Sequence, residues 1–171
     1  MSYCQTLGEQ QGVHRIHQNG RLEAAGGEAL FVPTDVSQRG QVERLIERVT
    51  GHFGTLHVLV NNAGINIISP FVEIDPADFQ LIQQVNVIAP MLLCRAAIPR
   101  MRTKGWGRIV NISSIWGKVV REYRGAYAAS KFALDGLTSA IAAEVARDGI
   151  LANCVAPGFI DLHAHGQDPV S

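Results

Sequence analysis

Between Leu30 and Val155 the chain alternates short, nearly continuous apolar runs with longer stretches whose apolar residues recur every three or four positions. The runs at 30–36, 56–60, 108–113 and 150–155 read as strands, and strands this apolar are the kind buried on both faces of a parallel sheet. Between them, Val42, Leu45, Ile46, Val49 and Phe53 fall on one face of a helix that Ser37 is placed to cap and that Gly51 and Gly54 bracket at its end. Asp75-Pro76 opens a second, longer helix, with a cap residue followed by proline at the first position. Its buried stripe runs through Phe79, Ile82, Val85, Ala89, Leu93 and Ala97 to Met101, and Pro90 should kink it. A third helix spans 126–147, with Leu134, Leu137, Ile141 and Val145 inward and Gly149 past its end.

Strand–helix–strand–helix–strand–helix–strand is the signature of repeated βαβ units, and predicts an α/β domain with a doubly wound parallel sheet and helices on both faces. The chain of 171 residues suits one such domain. Residues 1–28 carry no sustained period and are broken by Gly8, Gly12, Gly20, Gly26 and Gly27, so they read as a poorly patterned segment before a domain at 29–160 and a tail at 161–171.

Fifteen basic residues balance fifteen acidic ones, which removes any electrostatic reason to expect nucleic acid or an anionic membrane as partner. Arg95, Arg108 and Asn111 interrupt the longest apolar stretches, and no basic, then apolar, leader follows Met1, so a cytoplasmic protein is expected. Cys4, Cys94 and Cys154 lie too far apart for a metal or disulfide framework and read as reduced thiols. His163 and His165 alternate on the tail and form at most part of a metal site, so no metal is expected.

Ligands of open parallel sheets bind beyond the carboxyl ends of the strands. Asp35, Asn61-Asn62, Ser113-Ser114 and Pro157-Gly158 all fall there. Tyr127 and Lys131 stand four residues apart at the start of the third helix, so phenol and ammonium face one side. A phenol with a pKa of about 10 is a poor acid/base group at neutral pH until a neighbouring cation stabilises its ionised form. Alone, that spacing recurs by chance. Ser114 precedes Tyr127 by thirteen residues and can serve as a cap or as a hydroxyl aimed at the same substrate oxygen. Asn86 sits within a helix, where it is either a satisfied amide or a group that holds a water beside Lys131. The small residues of Asn61-Asn62-Ala63-Gly64 let the backbone approach a flat ligand.

Taken together, Asp35-Val36, Asn61-Asn62-Ala63-Gly64, Val85-Asn86-Val87, the run from Gly107 to Ser114, Tyr127-Ala128-Ala129-Ser130-Lys131 and Pro157-Gly158-Phe159-Ile160 resemble the short-chain dehydrogenase/reductase family over residues 21–160. The closest flavour is that of 3-oxoacyl-carrier-protein reductases and related alcohol dehydrogenases. The resemblance implies a Rossmann-like fold, NAD or NADP as cofactor, and hydride transfer between the nicotinamide and a small carbonyl or alcohol substrate. It implies a tetrad in which Tyr127 exchanges the proton, Lys131 tunes the phenol and binds the nicotinamide ribose, Ser114 orients the substrate oxygen and Asn86 supports a proton-relay water. It further implies that Asp35 and Val36 line the adenine site, that Asn62, Ala63 and Gly64 lie along the cofactor, and that Pro157, Gly158 and Ile160 border the nicotinamide. Pairing of the 75–101 and 126–147 helices between copies is the expected route to a homo-oligomer.

Two departures shape the expectations. No Gly-x-x-x-Gly-x-Gly turn precedes Leu30, and neither Thr6-Leu7-Gly8 nor Gly12 has an apolar strand before it. The first βα unit is therefore expected to be missing, leaving the 56–60 strand with an unpaired edge. The covering helices after residue 160 are expected to be missing as well. A non-catalytic fragment that binds or assembles through its helices is the competing reading.

Overall fold

In a computed structural model, the structure describes residues 3–6, by their backbone, and 26–159. Four parallel strands form one sheet in the order β1 (Tyr3–Thr6), β2 (Val58–Asn61), β3 (Gly107–Ile112) and β4 (Ile150–Val155). Helix α1 (Arg39–Phe53) connects to β2. Helices α2 (Pro76–Gln83) and α3 (Ala89–Arg102), joined by a π turn at Gln84–Ile88, connect β2 to β3, and α4 (Gly125–Val145) connects β3 to β4.

The parallel α/β architecture is as expected, with two corrections. The edge of β2 expected to be bare is paired: Tyr3 lies opposite Val58 and Thr6 opposite Asn61 in a parallel ladder. A four-residue strand of mixed polarity carries no period of its own, so only its partner reveals it. The strand expected at 30–36 does not form. Pro33 has no N–H to give a ladder, and among the described residues no strand lies beside this segment.

Strand alternation fixes which side of the sheet is core. Leu59, Ile109, Ile150 and Ala152 point into one cluster with Val42, Ile46 and Val49 of α1, Leu93, Ala97 and Met101 of α3, and Val145 of α4. The described helices thus share one face, while Leu151 and Val155 on the other are about half exposed.

Asp75 caps α2 as expected, its carboxylate accepting the Ala77 N–H at 2.7 Å. Ser37 does not cap α1. Gln38 holds that position without a side-chain bond, while the Asp35 carboxylate accepts the Ser37 N–H at 2.9 Å. The long second helix is continuous over Pro76–Arg102 but widens into the π turn immediately before Pro90. Proline at 90 withholds the α-helical hydrogen bond from the carbonyl of residue 86. This helix is apolar and long enough to cross a membrane by length and composition, yet half of its apolar window is buried against the chain's own core. Phe79, expected inside, is exposed.

Candidate active site

The carboxyl ends of β2 and β3 are tied together below the site by a buried polar chain. Asn61 Nδ2 donates to Asn111 Oδ1 at 2.7 Å, and Asn111 Nδ2 donates to Thr138 Oγ1 at 2.8 Å. Thr138 in turn donates to the Leu134 carbonyl within α4. In a low-dielectric interior such a chain fixes strand and helix registers, because a broken link leaves a buried group unpaired. It therefore sets where α4 begins relative to the strand ends.

Above it, Lys131 is buried and its Nζ donates to the carbonyl of Ile112, the last residue of β3, at 2.8 Å. One of the three ammonium donors is thereby committed to the protein. Burial pulls its pKa down from 10.5 to about 8, against the opposing pull of negative charge at Cys154 and Asp135. The ammonium also stands 5.4 Å from the centre of the Tyr127 ring. Tyr127 itself is half-buried.

Asn86 occupies the π turn and is completely buried. Its Oδ1 accepts the Ile65 N–H, and its Nδ2 donates to the Ile65 carbonyl and to Ser130 Oγ, each at 2.9 Å. Both amide donors are spent inside the protein, and the side chain pins the turn after Gly64 to α4. A Cβ placed on Gly64 would stand 3.4 Å from Asn86 Oδ1 and 3.5 Å from Lys131 Nζ. The backbone at Gly64 therefore runs open beside the ammonium. Ala63 is buried, and Asn62 half-buried.

Ser114 closes the end of β3 and caps a short 3-10 turn, Ile115–Gly117, with its Oγ accepting the Trp116 N–H at 3.2 Å. The hydroxyl proton is not used in that bond. The turn packs on α4 and is bonded from above as well, since Ile115 N–H donates to the Pro157 carbonyl at 2.9 Å. Gly158 follows, exposed. The segment after β4 and the Ser114 turn thus form one wall. Ile160 lies outside the described residues, as do Gly8, Gly12, His163 and His165.

Asp35 and Val36 sit farther off. Val36 belongs to the core, and Asp35 is absorbed in the turn before α1, its N–H donating to Gln41 Oε1 at 2.8 Å. The link to the site runs through Gln84, whose Nε2 reaches the Ser37 carbonyl at 3.0 Å from the π turn that holds Asn86. Sequence reasoning missed Ser130, which joins Asn86 to the Tyr127 carbonyl through one hydroxyl. A serine inside a helix, one place before the lysine, was the available signal. It also missed that Gly8 and Gly12 follow a strand. That strand ends at Thr6, opposite Asn61.

The strand ends of this parallel α/β sheet carry a half-buried tyrosine, a buried lysine and a serine-capped turn. The chain belongs to the short-chain dehydrogenase family, whose sequence model it matches over residues 7–168. It is 36% identical over 141 residues to a D-beta-hydroxybutyrate dehydrogenase of Rhizobium meliloti (strain 1021), covering 81% of this chain and 55% of that protein. It is 38% identical over 176 residues to an uncharacterized oxidoreductase, YgfF, of Escherichia coli (strain K12), covering 98% of this chain and 71% of that one. A short-chain dehydrogenase from Streptomyces avermitilis superposes with a TM-score of 0.83 at 29% identity, over 96% of this chain and 58% of its own. The chain spans about half the length of several curated relatives.

Proposed function

We propose that the protein is an NAD- or NADP-dependent oxidoreductase that interconverts a secondary alcohol and a ketone, with 3-oxoacyl compounds or related small molecules as substrates. The observation that carries this reading is the buried Lys131 ammonium, anchored to the end of β3 and 5.4 Å from the Tyr127 ring. The residues present fit the nicotinamide end of the cofactor. The Gly64 backbone lies open beside an ammonium with donors to spare, and the exposed Gly158 borders the same wall. Asn62, Ala63, Pro157 and Ile160 would line that path, and Asp35 and Val36 the adenine end.

When bound, the nicotinamide supplies or accepts the hydride. In the reducing direction Tyr127 gives its phenolic proton to the carbonyl oxygen, which becomes the hydroxyl. The Lys131 charge favours the phenolate left behind, and its uncommitted donors hold the ribose hydroxyls. Ser114 donates its hydroxyl proton to the same substrate oxygen and so fixes which face of the carbonyl is presented. Asn86 serves through its backbone: Pro90 gives its carbonyl no helical N–H, and we assign the proton-relay water to that acceptor.

Calorimetric titration with NAD and NADP tests the binding claim, and Tyr127→Phe tests the chemistry. The variant should lose at least about 100-fold in kcat, with cofactor affinity within about twofold. Turnover unchanged in that variant would reject Tyr127 as the acid.

A second reading has its own support. Phe79, Leu81 and Ile88 on the second helix and Phe132 on α4 are exposed. They suit pairing of these helices between copies, in a homo-oligomer or in a non-catalytic assembly module. The free thiols of Cys94 and Cys154 fit a reducing, cytoplasmic setting. No binding of either nucleotide at millimolar concentration, together with a dimer in sedimentation, would favour the module.

A further inference from the structure

Tyr127, Lys131 and Asp135 follow one another at four-residue steps along one face of α4. The first two face the proposed chemistry; Asp135 faces the turn that carries Ser114. Its side chain is only 14% exposed, and its Oδ2 is 2.8 Å from Lys118 Nζ, whose own side chain is 61% exposed. Lys118 is the residue after the Ile115–Gly117 turn, and Ser113 and Ser114 are the residues before it. At Gly117 the turn backbone lies against α4 with no room for a side chain. A Cβ there would stand 2.9 Å from Asp135 Oδ2, 2.9 Å from Ser113 Oγ and 3.2 Å from the Lys131 carbonyl carbon. Neither the Ser113 hydroxyl nor the Asp135 carboxylate meets an aligned hydrogen-bond partner, so the ammonium of Lys118 is held by charge and proximity.

We propose that Asp135 and Lys118 form a positioning pair that clamps the Ser114 turn onto α4 and thereby sets the Ser114 hydroxyl against Tyr127. The pair touches neither substrate nor cofactor. Its geometry is that of a clasp, with one arm on the helix of the acid and the other just beyond the turn of the orienting serine. The ionisation of the carboxyl agrees. Burial pushes Asp135 up, but the nearby donors of Lys118, Ser113 and Cys154 and the Lys118 charge outweigh it, and the carboxyl lies below its ordinary range. An anion is therefore what the clasp contains at neutral pH. Without it, the turn keeps the Ile115–Pro157 bond but loses its charged tie to α4.

Trp116, in the middle of the turn, offers a probe that does not depend on catalysis. In 15N-correlated spectra the chain has two indole signals, from Trp106 and Trp116, assigned with Trp106→Phe. Asp135→Asn and Lys118→Gln should each shift or broaden the Trp116 indole signal and leave Trp106 in place, and Lys118→Arg should restore it. In turnover assays, which rest on the function proposed above, both loss variants should lower kcat about tenfold with KM for the nucleotide within twofold. The double variant should be no worse than either single one. Lys118 is exposed, so its variant folds even where Asp135→Asn does not. An unmoved Trp116 signal in folded Lys118→Gln would overturn the clasp whether or not the chain turns over. A moved signal with no turnover even in the unaltered protein would uphold the clasp and count against the enzymatic reading instead.

Discussion

Replacing Lys131 by methionine should make the folded chain more stable at neutral pH and less stable in alkali, and the crossover can be worked from the structure. Lys131 is 4% exposed, and burial lowers its pKa from 10.5 to about 8. Below pH 8 both folded and unfolded chains carry the proton, and the folded one bears the cost of a desolvated ammonium. Between pH 8 and 10.5 the folded state has released the proton while the unfolded state still holds it, so stability climbs with pH. At roughly 1.4 kcal/mol per pH unit, the climb across that window totals about 3 kcal/mol. Methionine removes the charge and also the 2.8 Å bond to the Ile112 carbonyl, which contributes about 1 kcal/mol. The variant should therefore be more stable by about 2 kcal/mol at pH 7, equal near pH 9.5, and weaker by about 1 kcal/mol above pH 10. Urea unfolding followed by far-UV circular dichroism from pH 7 to 10.5 measures both chains. Burial also pushes the Cys94 thiol up to about 12, which lowers stability above pH 9, but equally in both proteins, so the difference between them isolates Lys131. Parallel stability curves for the two chains over that range would refute the reasoning, since they would mean that the ammonium is as well solvated folded as unfolded.

The scaffold makes three simpler predictions. Asn111→Ala breaks the buried chain from Asn61 to Thr138 and should cost about 2–4 kcal/mol in urea unfolding, with Thr138→Val costing less because it strips only one end. Gly149 closes the 3-10 turn Ala146–Asp148 that follows α4, at φ 72° and with a Cβ position that collides with the Gly105 carbonyl, whereas Gly54 ends α1 at φ 73° in open space. Alanine at 149 should thus cost well over the roughly 1 kcal/mol expected at 54, read as the difference in thermal midpoints. Asp75→Ala removes the cap of α2 and should cost about 1 kcal/mol, a loss that Asp75→Ser largely avoids in the same melts.

What could be read from sequence was set by how local its cause is. The strand at Ile150–Val155 was legible to the residue, because an apolar run between Gly149 and Pro157 has its boundaries written beside it. The cap at Asp75 and the pairing of Tyr127 with Lys131 are likewise local. The strand at Tyr3–Thr6 was not legible. Its four residues form a strand only because β2 offers a ladder more than fifty positions away. The run at 30–36 failed for the converse reason, since composition suggested a strand and no strand among the described residues lies beside it. Pro90 announced a distortion, but its form as a π turn depends on where Asn86 finds Ile65 and Ser130, which are tertiary partners. Asp135 gave no sign at all: an acidic residue inside a helix reads as solvated until the turn that covers it is known.

The described side chains of the site share one construction, and it explains how a small sheet holds a costly group. Each is fixed to backbone of another element: Asn86 to Ile65, Lys131 to Ile112, the Ser114 turn to Pro157, and the π turn to Ser37 through Gln84. Backbone partners at or just past strand ends move little unless the sheet moves, so the positions of the ammonium and of the Ser114 turn are inherited from β3 and β4 rather than from the loops themselves. The buried ammonium opposes folding by about 3 kcal/mol at neutral pH, and the Asn61–Asn111–Thr138 chain beneath it resists the relaxation that would let water reach it. Loosening that chain should therefore raise the pKa of Lys131 towards 10.5 before it unfolds the protein. In Thr138→Val the alkaline climb in stability should shrink in step, a coupling that neither group would show if the site and its foundation were independent.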